Sequence, residues 1–212
     1  MKAIPFSLSY LPETPSQTAG PYVHIGLIPK QAGFEIFENN FSGNIAGPGV
    51  VGERITIEGR IFDGTGHSAK DVLVETWQAN AAGRYNHAAD SQDKELDKGF
   101  RGWARTGTDF ATGVYTIRTI KPGCVAGRKG RKTMAPHVNF WLASRGINIG
   151  LATRMYFGDE ETANLDDPVL NIIEQPGRRE TLVAPRSERD GTVIYTFDIY
   201  LQGDRETVFF DV

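Results

Sequence analysis

Apolar and polar positions alternate with a period of two along several short stretches, as in strands that bury one face. Ile55, Ile57 and Gly59 fall on one side, with Thr56, Glu58 and Arg60 on the other. Val72, Val74 and Thr76 alternate with Leu73, Glu75 and Trp77. Val114–Ile120, His137–Leu142 and Val193–Tyr200 repeat the pattern, and a last strand is expected over roughly Glu206–Phe210. Asp63-Gly64-Thr65-Gly66 and Lys121-Pro122-Gly123 punctuate these stretches as turns. Helical signal is thin: Asp167-Pro168 before Val169-Leu170-Asn171-Ile172-Ile173 reads as an Asp cap with proline at the first helical position. The pattern predicts a mainly β chain, an antiparallel β-sandwich with long loops and one or two short helices, in a single domain over residues 1–212.

The first fifty residues do not follow this pattern. Leu11–Tyr22 contains Pro12, Pro15 and Pro21 and must be extended or turning, because proline fixes its own φ and restricts the residue before it. A loop runs from Pro29 to Gly49, and the polar stretch Asn86–Gly102 reads as a surface loop. Composition agrees: 24 glycines and 11 prolines in 212 residues exceed the usual combined share of about 12% and favour short strands joined by turns. The net charge of −3 excludes a general basic field for nucleic acid and leaves only the local basic loop Gly127–Lys132. Cys124 is the single cysteine, so an intrachain disulfide and a zinc–thiolate cluster are both excluded. No apolar run is long enough for a membrane span, and Met1–Tyr10 lacks the apolar core of a secretion signal. A cytoplasmic protein without membrane or nucleic-acid partners is the expectation.

Candidate chemistry is sparse when each residue is taken alone. His137 and Asn139, two apart on a strand, face the same way. A second histidine there would aim two imidazoles at one metal, but an amide is a poor transition-metal ligand, and a hydrogen-bonded polar pair is the simpler reading. Tyr85, in Gly83-Arg84-Tyr85-Asn86-His87, could supply a phenolate to ferric iron or serve as a packing residue. Arg145-Gly146 follows a strand and could present a guanidinium to a carboxylate or to solvent. No serine elbow, phosphate loop or dinucleotide motif frames Ser16, His24 or the aspartates, and Cys124 has no activating context.

Taken together, several segments resemble the intradiol ring-cleavage dioxygenases. They are Gly59-x-Ile61, Gly66, Val74–Tyr85, Ile120–Gly123, Ala135–Phe140, Met155-Tyr156-Phe157 and Phe197-Asp198-Ile199, with Ala69 and Thr76 smaller or more polar than usual. The resemblance implies a ferric ion held by two tyrosines and two histidines. It places those positions at Tyr85, Val125, His137 and Asn139, so two of the four are not ligands; a catalytic arginine falls at Met134 and a pocket glutamine at Arg154. This pattern, together with Leu11–Gly26, Ser144–Ile149, Ile173–Pro176 and Arg178–Leu182, is similar to the iron-free subunit of two-chain family members. The resemblance then implies no metal and no catalytic residue in this chain, and Fe(III) bound by a homologous iron-bearing β chain. It further implies an N-terminal arm (about 1–50) packed on that partner, and a higher αβ oligomer. O2 and 3,4-dihydroxybenzoate are the implied substrates, met by Arg145, Thr18, Gly20 and Pro21 at the interface. A self-sufficient enzyme with an altered metal site, and a sandwich that only binds or scaffolds, remain the alternatives.

Overall fold

The computed structural model describes residues 17–38, 40–127 and 132–211. Leu11–Ser16 of the proline-rich segment and Arg128–Arg131 of the basic loop lie outside the described residues. Among the described residues ten strands form two sheets: β1 (Arg54–Phe62), β2 (Leu73–Gln78), β3 (Trp103–Gly107), β4 (Val114–Ile120), β5 (His137–Ala143), β6 (Leu151–Phe157), β7 (Val183–Ala184), β8 (Arg186–Arg189), β9 (Thr192–Thr196) and β10 (Ile199–Tyr200). β1 is the hub of the first sheet and pairs with β4, β9 and β10, while β8 extends it beyond β9; the second runs β3-β2-β5-β6-β7. Short helices α1 (Val23–Leu27), α2 (Glu161–Asp166) and α3 (Pro176–Glu180) complete the chain.

The core lies between the sheets. Ile55, Ile57, Ile61, Tyr115 and Ile117 from one face Val74, Val138, Phe140, Leu142 and Met155 from the other, and all are buried. A second cluster of Ala135, Tyr156, Leu170 and Leu182 packs beyond β6. Met155, Tyr156 and Phe157 are therefore buried in succession, because both faces of that strand end are covered.

The sandwich is not purely antiparallel. β1 runs parallel to β9 and β10, and β6 runs parallel to β7. The single strand expected over Val193–Tyr200 is two, broken at Phe197-Asp198. There the Phe197 carbonyl turns into the sheet and accepts from the Tyr115 hydroxyl, and the Asp198 carboxylate accepts the Arg60 N–H at 2.8 Å. The break fits only because residue 59 is glycine: a Cβ there would lie 2.0 Å from the Phe197 oxygen. The Asp167 cap is real but opens one 3₁₀ turn, Leu170–Ile172, rather than a longer helix; its carboxylate accepts the Val169 and Leu170 N–H groups at 2.8 and 2.9 Å. Residues 206–210 contribute one bridge, Phe210 to Ala152, instead of a strand.

Within the irregular start, α1 turns the chain against its own body. His24 is buried and stacks on Phe110 at 5.1 Å, and Gln31 caps the β3 edge by accepting the Gly107 N–H at 2.9 Å and donating to the Thr108 carbonyl at 3.0 Å.

Candidate functional site

The loops after β2 and β4 are locked to each other. Buried Gln78 donates to the Ile120 carbonyl at 2.9 Å and accepts from the Thr119 hydroxyl at 2.8 Å. Gly123 donates to the Asn80 carbonyl at 3.0 Å, and the Asn80 side chain accepts the Arg84 N–H at 2.9 Å. Gly83 takes φ +80°, and a Cβ on it would meet the Cys124 oxygen at 1.9 Å. Glycine is the residue that allows both the turn and the approach. This lock sets Tyr85 and Val125 beside the start of β5, which carries His137 and Asn139.

Tyr85, His137 and Asn139 come together as a hydrogen-bonded polar cluster, while Val125 is bridged through its backbone to Met134 and adds no polar side-chain atom. His137 Nδ1 lies 2.7 Å from the Ala135 carbonyl and must carry the proton, so Nε2 accepts from the Tyr85 hydroxyl at 3.1 Å. Asn139 Nδ2 donates to the Trp77 carbonyl at 3.2 Å and to the Tyr85 hydroxyl at 3.4 Å; its Oδ1 accepts Arg154 Nε at 3.0 Å. Arg154 Nη1 donates to the Tyr156 hydroxyl at 3.3 Å, and Tyr156 donates to Asp167 at 3.0 Å. Asp167 is fully buried and also accepts the Ala135 N–H at 2.8 Å. Burial, aided by the Arg154 charge, lowers the His137 pKa to about 4 and keeps the ring neutral. Burial also raises the Tyr85 phenol above its ordinary value, against the opposing pull of Arg154. The same desolvation raises Tyr156.

These residues do not fit a ferric ion. Val125 is buried and has no donor atom, Asn139 turns its N–H groups toward Tyr85, and the His137 lone pair is taken by the Tyr85 hydroxyl. Arg154 brings a positive charge to the same cluster. A cation would have to break these bonds and face that charge for two surviving ligands.

The second group of expected site residues also assembles. The Thr18 hydroxyl accepts the Gly146 N–H at 2.8 Å and donates to the Ser144 carbonyl at 3.4 Å, gripping the turn that carries Arg145 from both sides. Arg145 is ion-paired with Asp71 and its side chain is 59% exposed. Gly20, Pro21 and Tyr22 follow in the open, with no atom within 4 Å of where a Gly20 Cβ would stand. Sequence reasoning missed Asp71, which lies 74 positions from its arginine, and missed that Asp167 anchors the polar cluster as well as a turn. Cys124 is exposed and reduced, and burial of its sulfur with the nearby Glu160 charge raises its pKa.

The family model Dioxygenase_C, described as dioxygenase, matches residues 38–203. The protocatechuate 3,4-dioxygenase alpha chain of Pseudomonas putida is 50% identical over 204 residues, covering 96% of this chain and 98% of its own. The alpha chain of the same enzyme from Burkholderia cepacia is 43% identical, covering 97% and 100%. The Burkholderia cepacia beta chain is 39% identical over 72% of this chain and 66% of its own. Catechol 1,2-dioxygenase from an Acinetobacter species has a like fold, with a TM-score of 0.58 at 19% identity over 84% of this chain and 68% of that one.

Proposed function

The chain belongs to the intradiol dioxygenase family, and we propose that it is the iron-free α subunit of a protocatechuate 3,4-dioxygenase. It pairs with a homologous β chain that carries the Fe(III), in a higher αβ oligomer. The assembled enzyme cleaves the ring of 3,4-dihydroxybenzoate between its hydroxylated carbons with O2, giving 3-carboxy-cis,cis-muconate. The observation that supports this reading is the cluster of Tyr85, His137, Asn139 and Arg154, whose polar atoms are hydrogen-bonded to one another and leave no open ligand set for a metal. Identity of 50% to an α chain over nearly the full length supports the same assignment.

In this reading the chain supplies wall and charge to the partner's site. Arg145 meets the substrate carboxylate at the interface, the partner excluding water and strengthening that contact. Thr18 fixes the turn beneath it. Gly20 lets backbone approach the ring closely, and Pro21 forms a wall whose ordering costs little entropy. Six large apolar side chains exposed between Tyr22 and Phe41 (Tyr22, Ile25, Phe34, Ile36, Phe37 and Phe41) give the N-terminal arm the apolar face that docking on a partner needs. The chain's own scaffold is thus a binding surface. The described residues include no helix long and apolar enough to cross a membrane.

Co-expression with the β chain tests the reading. Ring cleavage of 3,4-dihydroxybenzoate is expected only from the two-chain complex. A β chain fully active without this one would reduce it to a scaffold.

A further inference from the structure

The outer face of the second sheet carries a cleft of about 460 Å³. Strand register lines up Trp103, Trp77, Asn139 and Arg154 in one row across four strands, with Glu75 and Trp141 in the next. Trp77, Trp103 and Phe210 are half-buried and Trp141 is 39% exposed, so the walls are aromatic and reachable. At one end stands Arg154. Its Nε and Nη1 are committed to Asn139 and Tyr156, but Nη2 makes no hydrogen bond among the described residues. No carboxylate among those residues is ion-paired with it either, whereas Glu75 in the same cleft is already neutralised by Arg105 at 2.6 Å. A half-buried guanidinium without a counter-ion, beside flat aromatic surfaces, is a receptor for an anion attached to a flat ring.

We propose that this cleft binds a planar aromatic carboxylate, with the carboxylate on Arg154 and the ring against Trp77 and Trp141. Loss of the metal position would then have left a ligand site in use, with the guanidinium doing the recognition. The exposed Asp211 at the rim is, among the described residues, the one acid lining the cleft without an ion-pair partner, and it opposes the ligand. The inference is carried by this chain's own residues, and its test uses the two-chain complex of the proposed function.

The test is calorimetric titration of the two-chain complex with benzoate, with the visible iron band recording how much benzoate reaches the iron. Two sites per αβ pair are expected, one of them silent in the iron band. Arg154→Gln should weaken that silent site at least tenfold, and neutral benzamide should not fill it. Asp211→Asn should tighten it about twofold at low salt. Should Arg154→Gln fail to assemble, Trp141→Leu removes the exposed wall and is expected to weaken the silent site several-fold. One site per pair in the wild-type complex, or a silent site unchanged by the available variant, overturns the proposal. Activity and iron content of the same preparations report on the proposed function separately.

Discussion

At His137, burial and then the nearby Arg154 charge lower the imidazole pKa from 6.5 to about 4, against the opposing pull of the Ala135 carbonyl. In the unfolded chain the ring protonates near its ordinary value, so between those limits the unfolded state binds more protons. Stability is therefore undiminished by this group above about pH 6.5. It declines as pH falls, by about 3 kcal/mol by the time pH 4 is reached. Urea midpoints across that range should show the decline, and His137→Gln should flatten it. The Arg145–Asp71 pair behaves differently. It pairs an exposed Arg145, at 59%, with a half-buried Asp71, at 21%, and such a surface pair adds at most about 1 kcal/mol to stability. Its consequence is orientation. In the assembled enzyme Arg145→Ala should raise KM for 3,4-dihydroxybenzoate about tenfold and Asp71→Asn about threefold. The double variant should match Arg145→Ala alone. Independent effects that simply multiply would show that Asp71 does not position the arginine.

Elements were legible where one face is buried and the other is wet. β1, β2, β4 and β5 sit within two residues of the alternating stretches Ile55–Arg60, Val72–Trp77, Val114–Ile120 and His137–Leu142. β6 was silent because Met155, Tyr156 and Phe157 are buried in succession, so alternation is lost over the second half of the strand. β8 was silent for the opposite reason: Arg186–Arg189 is exposed throughout, pairs as a strand with β9, and is tied down by ion pairs of Arg186 to Glu53 and Arg189 to Glu58. α1 has five residues and no side-chain cap, and its place is set by His24 on Phe110, a contact no local pattern announces. Of the site, the two-residue spacing put His137 and Asn139 on one face and the family resemblance added Tyr85 and Arg154, while Asp167 joined through a long return of the chain that no local pattern announces. The break between β9 and β10 makes its own demand. Gly59→Ala would drive a methyl into the Phe197 carbonyl and should cost about 3 kcal/mol or more. A thermal melt within a degree or two of wild type would show that β1 can yield there.

As a whole molecule, the chain has a closed core between two sheets, a cluster of Tyr85, His137, Asn139 and Arg154 whose polar atoms are hydrogen-bonded to one another, and an apolar N-terminal face turned outward. These features fit one half of an active unit better than an enzyme complete in itself. The most direct test is the iron content and visible tyrosinate absorption of this chain, purified alone and with its β chain. The account predicts a colourless, iron-free chain alone and one coloured ferric site per αβ pair in the complex. Stoichiometric iron with a tyrosinate band in the isolated chain would contradict it.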